Sequence, residues 1–297
     1  MSPLVSARLD DRAARMWLAL VVQPGDELVG HLVGHWGAPE VATRLASGKP
    51  LPGNLVSTRV ASVLAQRYQT VPPLSAIART QRIIEARGLG ITIPGDPHWP
   101  TQLGDLGSAA PLLLCSAGDL RVVSAHRARV AIVGTRKPSS EAVMATREIA
   151  AGQVRSGRTI VSGGARGIDA TAHAVALEFG VPTVAVVAQS PDRPYPPEHR
   201  GLLGNIAQSG VVLGETLPGV KRGPEGFLAR NRLIAALSNL TVVTEAPRRS
   251  GAISTAAHAA KLQRDVVAVT YPNHHSRNDG ALRILEQWAA TELAWPE

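Results

Sequence analysis

The sequence predicts an α/β protein in which a doubly wound, mostly parallel sheet is preceded by a small helical domain. From residue 129 onward, short apolar runs alternate with amphipathic segments of helical length. The runs are apolar at successive positions, which is typical of strands that are covered on both faces. Residues 1–125 lack this alternation and show helical periodicity followed by a proline-rich stretch.

Six apolar runs predict six strands. In chain order they are RVAIVG (129–134), RTIVSG (158–163), PTVAVVA (182–188), GVVLGE (210–215), LTVVTE (240–245) and DVVAVT (265–270). The intervals between them are long enough for a helix to cross back over the sheet, as parallel neighbours require. We therefore predict a parallel sheet of about six strands, with ligands gathering at the carboxyl ends of the strands.

The first part of the chain is predicted to fold as a helical domain over residues 1–90. Helical periodicity runs through ARMWLALVV, PEVATRLAS, LVSTRVASVLAQRY and PPLSAIARTQRIIEARG. Residues 91–125 follow as a strap, because prolines at positions 94, 97, 100 and 111 preclude a long helix. We expect this strap to lie extended against the sheet domain of residues 126–297.

The charge balance favours an anionic partner. The chain has 31 Lys and Arg against 23 Asp and Glu, a net charge of +8. Arginine is the commoner base, and its planar fork binds phosphate well, so the surplus fits nucleic acid. The alternative is a high-GC genome that enriches Arg, Ala, Gly and Pro whatever the function.

Several classes of protein are disfavoured. The apolar runs are shorter than the roughly 20 residues that cross a bilayer, and the N-terminus has no run of signal-peptide type. We therefore expect a cytoplasmic protein without membrane contact. The single Cys115 excludes an internal disulfide and a Cys-based zinc cluster, and its apolar neighbours predict a buried thiol. We expect no cofactor and no metal, since His274 and His275 have no acidic or cysteine partner at ligand spacing.

A glycine-rich loop follows the second run, in SGGARGIDATAH. Gly163, Gly164 and Gly167 let a phosphate approach the main chain at the start of a helix, where backbone N–H groups bind anions. Asp169 is placed to cap that helix or to hold the loop. The alternative is a tight turn that needs glycine only for its dihedral angles. The loop matches neither a dinucleotide fingerprint, which would follow the first strand, nor a P-loop.

Five segments together resemble the DNA-processing protein A family, also called DprA or Smf. They are VAIVGTRKPS (130–139), IVSGGARGIDATAH (160–173), YPPEH (195–199), FLARNRLIAALSN (227–239) and VVTEAPRRSGAISTAAHA (242–259), in the family's order and spacing. The strap and, more loosely, the N-terminal helices extend the resemblance over nearly the whole chain. It implies an extended Rossmann-like fold behind a helical SAM-like domain, in a short form without the C-terminal winged-helix domain of many members.

The resemblance also implies a function. Members form homodimers, bind and protect incoming single-stranded DNA, and load the RecA recombinase onto it in natural transformation or recombination, without catalysis. The expected DNA contacts are Gly134, Thr135, Arg136, Ser139, Ser162, Gly163, Gly164, Arg166, Gly167, Lys221, Arg222, Phe227, Arg230, Asn231, Arg232, Arg249, Ser250, Gly251, Ser254 and Thr255. Asp169 and Glu245 are expected to have structural roles, Asp169 at the glycine loop and Glu245 as a carboxylate that orients arginines.

Two points within this set stay open at the level of sequence. Phe227 follows a basic loop and opens a helix, so it either stacks on a base or packs as a hydrophobic staple. Arg230 and Arg232 are two residues apart on a helix and point to different sides. One of them is expected to pair with Glu245 or Asp169 and not with DNA.

A competing class shares this architecture, the LOG-like phosphoribohydrolases with the signature P-G-G-x-G-T-x-x-E. SGAISTAAH (250–258) occupies the comparable place. There Ser250, Ala252 and Ser254 replace signature residues, and His258 stands where the catalytic glutamate would be. The hydrolase interpretation is weakened accordingly, and we expect a binding protein and not an enzyme.

Overall fold

The structure is a computed structural model that describes residues 9–47, 72–73, 75–124, 127–272 and 275–296. Its strands are β1 (Gly90–Thr92), β2 (Leu114–Gly118), β3 (Arg129–Val133), β4 (Thr159–Ser162), β5 (Val184–Val186), β6 (Val211–Gly214), β7 (Leu240–Val243), β8 (Asp265–Thr270) and β9 (Thr291–Ala294). They form one sheet with the order β1-β2-β6-β5-β4-β3-β7-β8-β9.

The six predicted strands are confirmed as β3 to β8, and the sheet is mostly parallel as predicted. From β6 to β9 all neighbours pair in parallel, whereas β1 and β2 pair antiparallel with each other and β2 pairs antiparallel with β6. The chain builds outward from β3 to β6 and then resumes on the other side of β3 with β7. The order therefore reverses between β3 and β7, and such a switch point opens a crevice at the carboxyl ends of the strands.

Helices cover both faces of this sheet. The α-helices are α1 (Asp11–Val21), α2 (Glu27–Trp36), α3 (Ala38–Ser47), α4 (Ala76–Ala86), α5 (Arg121–Ser124), α6 (Ser140–Arg155), α7 (Ile168–Glu178), α8 (Arg200–Ser209), α9 (Pro224–Ala236), α10 (Gly251–Lys261) and α11 (His275–Gln287). On β3, Val130 and Ile132 pack into the cluster of α6 and α7, while Ala131 and Val133 pack into the cluster of α9 and α10. Burial on alternating sides explains why residues 130–133 of this strand are all apolar.

The N-terminal helices form a separate apolar cluster that rests on the strap. Trp17, Leu18 and Val29 share this cluster with Leu113 and Cys115 of the β2 segment. The strap contributes most of β1, all of β2 and a 3-10 segment over Thr101–Ala109, and its described residues contain no long helix, as the prolines predict. Burial raises the pKa of the Cys115 thiol to about 12, which keeps the thiol neutral.

Part of the helical prediction falls outside the described residues. ARMWLALVV, PEVATRLAS and PPLSAIARTQRIIEARG correspond to α1, α3 and α4, but LVSTRVASVLAQRY lies in the segment 48–71, which the structure does not describe. The domain limits at residues 90 and 125 stay a prediction. Across the described residues, no helix combines the length and the apolar character that a membrane span requires.

Candidate nucleic-acid interface

A cleft of about 1040 Å³ opens at the carboxyl ends of the strands, next to the switch point. Its walls come from the loops that follow β3, β4 and β7 and from the first turns of α9 and α10. Parallel strands end at one edge of a sheet, so residues far apart in the sequence meet there. Among the predicted site residues, those that line this cleft are Gly134, Thr135, Arg136, Asp169, Phe227, Arg230, Asn231, Glu245, Arg249, Ser250, Gly251 and Thr255.

Solvent-facing cations stand along the cleft. Arg136 and Lys137 on the β3 loop and Arg249 on the β7 loop are exposed and line it. Arg277 of α11 reaches it from a third direction and donates from Nη1 to Glu245 Oε1 at 2.6 Å. These residues form a positive surface of the kind that follows a phosphodiester backbone.

An aromatic pair lies beside these cations. The rings of Tyr195 and Phe227 have their centroids 5.2 Å apart at an interplanar angle of 59°. The Cζ atom of Arg136 lies 5.8 Å from the centroid of the Phe227 ring, within cation–π range. Both rings and Arg136 also line a smaller side pocket of about 50 Å³. Flat faces next to arginine are what base stacking requires.

The position of Phe227 bears on its two sequence interpretations. The ring is half-buried, and the apolar clusters formed by the described residues do not include it. A hydrophobic staple would pack Phe227 against an apolar neighbour that precedes the helix, whereas its ring contacts are Tyr195 and Arg136 at the cleft. The geometry favours stacking.

The glycine loop after β4 encloses groups of the chain itself. A β-carbon at Gly163 would lie 2.1 Å from Nη1 of Arg230 and 2.6 Å from Oδ2 of Asp169. Gly164 and Gly167 have φ angles of +67° and +77°, in the region that favours glycine. Asp169 Oδ2 accepts the N–H of Ala165 at 3.2 Å, so this carboxylate holds the inner side of the turn.

Arg230 is buried against this glycine loop. Its Nη1 donates to the carbonyl of Gly163 at 2.6 Å and also to the carbonyl of Val186. Burial lowers its pKa to about 10, which leaves it charged at neutral pH. Burial also raises the pKa of Asp169, which the Arg230 charge and the loop N–H groups oppose. This pair ties α9 to the loop after β4 and to the end of β5.

Glu245 and Ser139 brace the other wall of the cleft. Glu245 Oε2 accepts the N–H of Ser139 at 2.8 Å and its hydroxyl at 3.2 Å, and Ser139 caps α6 through Ala142. Of the two acidic partners expected for Arg230 or Arg232, Asp169 does interact with Arg230, whereas the arginine partner of Glu245 is Arg277. Glu245 does orient an arginine, as predicted, but one that reaches it from the last helix.

Polar residues at the start of α10 complete that wall. Ser250 caps the helix by accepting the N–H of Ala252 at 3.2 Å. Asn231 Nδ2 donates to the carbonyl of Gly251 at 3.1 Å, which joins α9 to α10 across the cleft floor. Thr255 is buried beneath them, and Ser254 is partly exposed one residue earlier.

Three predicted contacts are turned away from the cleft. Arg232 is buried and forms a two-pronged pair with Glu215 at 2.6 and 2.7 Å. Arg222 donates to carbonyls at the end of α1. Ser162 donates to the carbonyl of Ile132 at 2.6 Å inside the sheet. These donors have protein partners, so we correct their assignment as DNA contacts to structural ones.

Two further predicted cations are exposed but differ in their surroundings. Arg166 forms an exposed ion pair with Glu198, and this carboxylate raises the pKa of its guanidinium. Lys221 is exposed on the segment that joins β6 to α9. Both are accessible to a strand that leaves the cleft, although Arg166 has to exchange Glu198 for a phosphate.

Sequence reasoning missed three cationic or aromatic residues that line the cleft. Lys137 follows the predicted Arg136 in the segment VAIVGTRKPS, so its position next to Arg136 was enough to predict it as a second cation of the cleft. Tyr195 lies in the YPPEH motif, preceding a cis peptide bond to Pro196, and only the fold brings it to Phe227. Arg277 arrives from a helix 32 residues after Glu245, and its position has no local sequence signal.

The part of the chain that the structure describes contains no candidate metal site. There, no group of three or more His, Cys, Asp or Glu side chains is placed to hold an ion. His274 and the side chain of His275 lie outside the described set.

Comparisons with known proteins agree with this fold. The family model for DNA recombination-mediator protein A matches residues 90–295. The chain is 35% identical over 291 residues to a DNA processing protein DprA of Mycobacterium tuberculosis, covering 94% of this chain and 72% of the relative. It is 34% identical over 194 residues to DprA of Streptococcus pneumoniae, covering 65% of this chain and 67% of the relative.

Two solved structures resemble this one. DprA of Streptococcus pneumoniae superposes with a TM-score of 0.75 over 97% of this chain and 95% of that chain, at 23% identity. DNA processing protein A from Helicobacter pylori, described for its single-stranded DNA binding mode, superposes with a TM-score of 0.62 over 69% of this chain and 92% of that chain, at 30% identity. The chain therefore belongs to the DprA/Smf family of DNA recombination mediators.

Proposed function

We propose that this chain binds single-stranded DNA along the cleft at the carboxyl ends of the strands. The observation that carries the proposal is the placement of Arg136, Lys137 and Arg249, all exposed, beside the aromatic pair of Phe227 and Tyr195. The single-stranded DNA binding mode described for the Helicobacter pylori relative supports it. Cations hold the backbone while a ring face holds a base, so binding tolerates most sequences.

We propose further that binding is not followed by catalysis. The acidic side chains that line the cleft are Asp169 and Glu245, and both are engaged. Asp169 holds a loop N–H beside Arg230, and Glu245 is held by Ser139 and Arg277. A general acid or base has to reach the substrate, whereas both carboxylates are buried and already bonded within the protein. His258, in the place of the hydrolase glutamate, is not among the residues that line the cleft.

The family also motivates a partner and an assembly. We propose that the DNA-bound protein loads RecA onto the strand in recombination, including natural transformation, and that this takes place in the cytoplasm. A homodimer is proposed through β9, the last strand of the described sheet, where Leu293 is 39% exposed and Leu282 on the adjoining α11 is 44% exposed. Sedimentation at micromolar concentration tests the dimer, and Leu282→Glu should shift it towards monomer.

Fluorescence anisotropy tests DNA binding with labelled single-stranded and duplex oligonucleotides over a range of salt concentrations. We expect tighter binding to the single strand and a log–log salt slope that flattens by about 0.7 for each phosphate contact removed. Arg136→Ala should flatten the slope by about that amount. Arg158→Ala is the matched control, because Arg158 is exposed but precedes β4 at the opposite end of the sheet.

Two results would contradict the proposal. A wild-type protein with equal affinity for both DNA forms would remove the role of base stacking, and an Arg136→Ala slope equal to the wild-type slope would remove the phosphate contact. Incubation with nucleoside monophosphates, followed by chromatography for released base, tests the hydrolase alternative. We expect no release.

A further inference from the structure

The segment between β6 and α9 carries two basic residues that behave differently. Lys221 faces solvent, but Arg222 turns its guanidinium away from the cleft and towards the N-terminal helices. Sequence reasoning places both residues on DNA. The contacts of Arg222 indicate another role, because they join the segment before α9 to the end of α1.

The guanidinium of Arg222 closes the C-terminal end of α1. Its Nη2 donates to the carbonyls of Ala19 and Val22, each at 3.0 Å, and its Nη1 donates to Oε1 of Gln23 at 3.2 Å. The last turn of α1 has no basic residue of its own. A cation at a helix C-terminus interacts favourably with the free carbonyls and the helix dipole, and Arg222 supplies it from a distant part of the chain.

The main chain of Arg222 is fixed from the other side by the loop after β5. Gln189 Nε2 donates to the Arg222 carbonyl at 2.8 Å, and Gln189 Oε1 accepts the Arg222 N–H at 3.3 Å. Gln189 itself lines the side pocket beside the aromatic pair. Arg222 thus stands between the end of α1 and the wall of the proposed DNA site.

The first turn of α9 rests directly on Arg222. A β-carbon at Gly226 would lie 2.7 Å from Cβ of Arg222. The main chain of Gly226 therefore packs directly against the aliphatic part of the Arg222 side chain. The next residue is Phe227. The second half of α9 is anchored by Arg230 and Arg232, but Pro224, Glu225 and Leu228 of its first turns are exposed. The placement of the Phe227 ring therefore depends on what holds Arg222.

We propose that Arg222 is a positioning residue for the DNA site, which clamps the end of α1 and thereby fixes the start of α9 and Phe227 at the cleft. The inference rests on the proposed DNA-binding function. It gives α1 an indirect part in DNA binding, because the carbonyls at the end of α1 accept the hydrogen bonds that hold Arg222.

Salt dependence separates a clamp from a phosphate contact. Arg222→Ala should bind single-stranded DNA about tenfold more weakly with an unchanged log–log salt slope, because no charge leaves the DNA path. A slope flattened by about 0.7 would show a phosphate contact and overturn the inference. Lys221→Ala is the matched control for the loss of a charge, since it removes one exposed positive charge next to Arg222 and leaves the Arg222 side chain in place.

Two further variants keep the charge while disturbing the clamp. Arg222→Lys retains the positive charge, but one ammonium group does not reproduce the fork across Ala19, Val22 and Gln23. Gly226→Ala presses a methyl group against the Arg222 stem. Both should weaken binding about fivefold or more with the slope unchanged. Wild-type affinity in both variants would overturn the inference.

The route through Phe227 is tested by a double-mutant cycle and by hydrogen exchange. If Arg222 acts by placing the ring, Arg222→Ala should add little to the loss already caused by Phe227→Ala, whereas full additivity would contradict the coupling. Backbone amides of residues 224–228 should exchange faster in Arg222→Ala without DNA present. Unchanged exchange would overturn the clamp, while absent DNA binding by the wild-type protein would overturn the proposed function, so the two failures are distinguishable.

Discussion

Replacing Phe227 by alanine is the most direct test of how the cleft holds DNA. The ring is half-buried, and its aromatic and cationic neighbours are Tyr195 and Arg136 at the cleft. Truncation therefore widens the cleft and does not leave a cavity in the core. The lost ring pair with Tyr195 should lower the free energy of unfolding by about 1 kcal/mol, well below the roughly 3–5 kcal/mol of a core Phe→Ala change.

The effect on DNA binding should be much larger than the effect on folding. Stacking of one base on an aromatic ring contributes about 1–3 kcal/mol, which corresponds to about 5-fold to 150-fold in affinity. The salt slope should stay at the wild-type value, because alanine removes no charge. Anisotropy titrations with an oligo-dT strand at several salt concentrations measure both quantities, and denaturant unfolding measures the free energy of folding.

Phe179→Ala supplies the matched control. Phe179 is the other phenylalanine of the chain, 46% exposed at the end of α7, and it is not among the residues that line the cleft. We expect wild-type affinity in that variant, and Phe227→Trp should retain most of the affinity because it keeps a flat face. Wild-type affinity in Phe227→Ala, together with a loss of 3 kcal/mol or more in stability, would show a packing residue and refute the stacking argument.

Three other outcomes follow from the ionisable groups. Glu198→Gln should release Arg166 for phosphate, so that single-strand binding tightens and the salt slope steepens by about 0.7; an unchanged slope would leave Arg166 outside the DNA path. Arg232→Ala should lower the free energy of unfolding by about 3–5 kcal/mol in denaturant titrations, because it leaves Glu215 buried without its partner; a loss below 1 kcal/mol would contradict this. Burial and the Arg230 charge lower the pKa of His173 from 6.5 to about 3, so its unfolded form takes up a proton first as the pH falls below 6.5. Stability should then drop by about 2 kcal/mol between pH 7 and pH 5, and His173→Gln should reduce that drop by a similar amount.

The central strands were predictable because their burial is simple. A strand covered on both faces is apolar at successive positions and not at every second one, so β3 to β8 stand out in the sequence as short apolar runs. β1 and β9 do not, since they are three and four residues long and lie at the sheet edges, and β9 is exposed along its length. These two strands form because the folded chain places a neighbouring strand beside them, and a local stretch of sequence does not show that neighbour.

The site was predictable at the level of loops but not of partners. Parallel topology alone brings the loops after β3, β4 and β7 together, and the prediction that Arg230 and Arg232 point to different sides follows from helix geometry. Their partners do not follow, because Glu215 and Gly163 belong to the loops that follow β6 and β4, and only the fold brings these loops to α9. The same holds for Arg277, which reaches Glu245 from the last helix.

Burial decides which of the basic residues are available to DNA. A guanidinium binds phosphate only where it meets solvent and its donors are not already used, and Arg136 and Arg249 satisfy the first condition at the cleft. Arg230, Arg232 and Arg222 donate to groups of the protein itself; Arg230 and Arg232 anchor the middle of α9, and we propose that Arg222 fixes its start. Positive charge in this sequence therefore has two separate uses. Under the proposed function, exposed cations attract the DNA strand, and the internally bonded arginines hold the helix that carries Phe227.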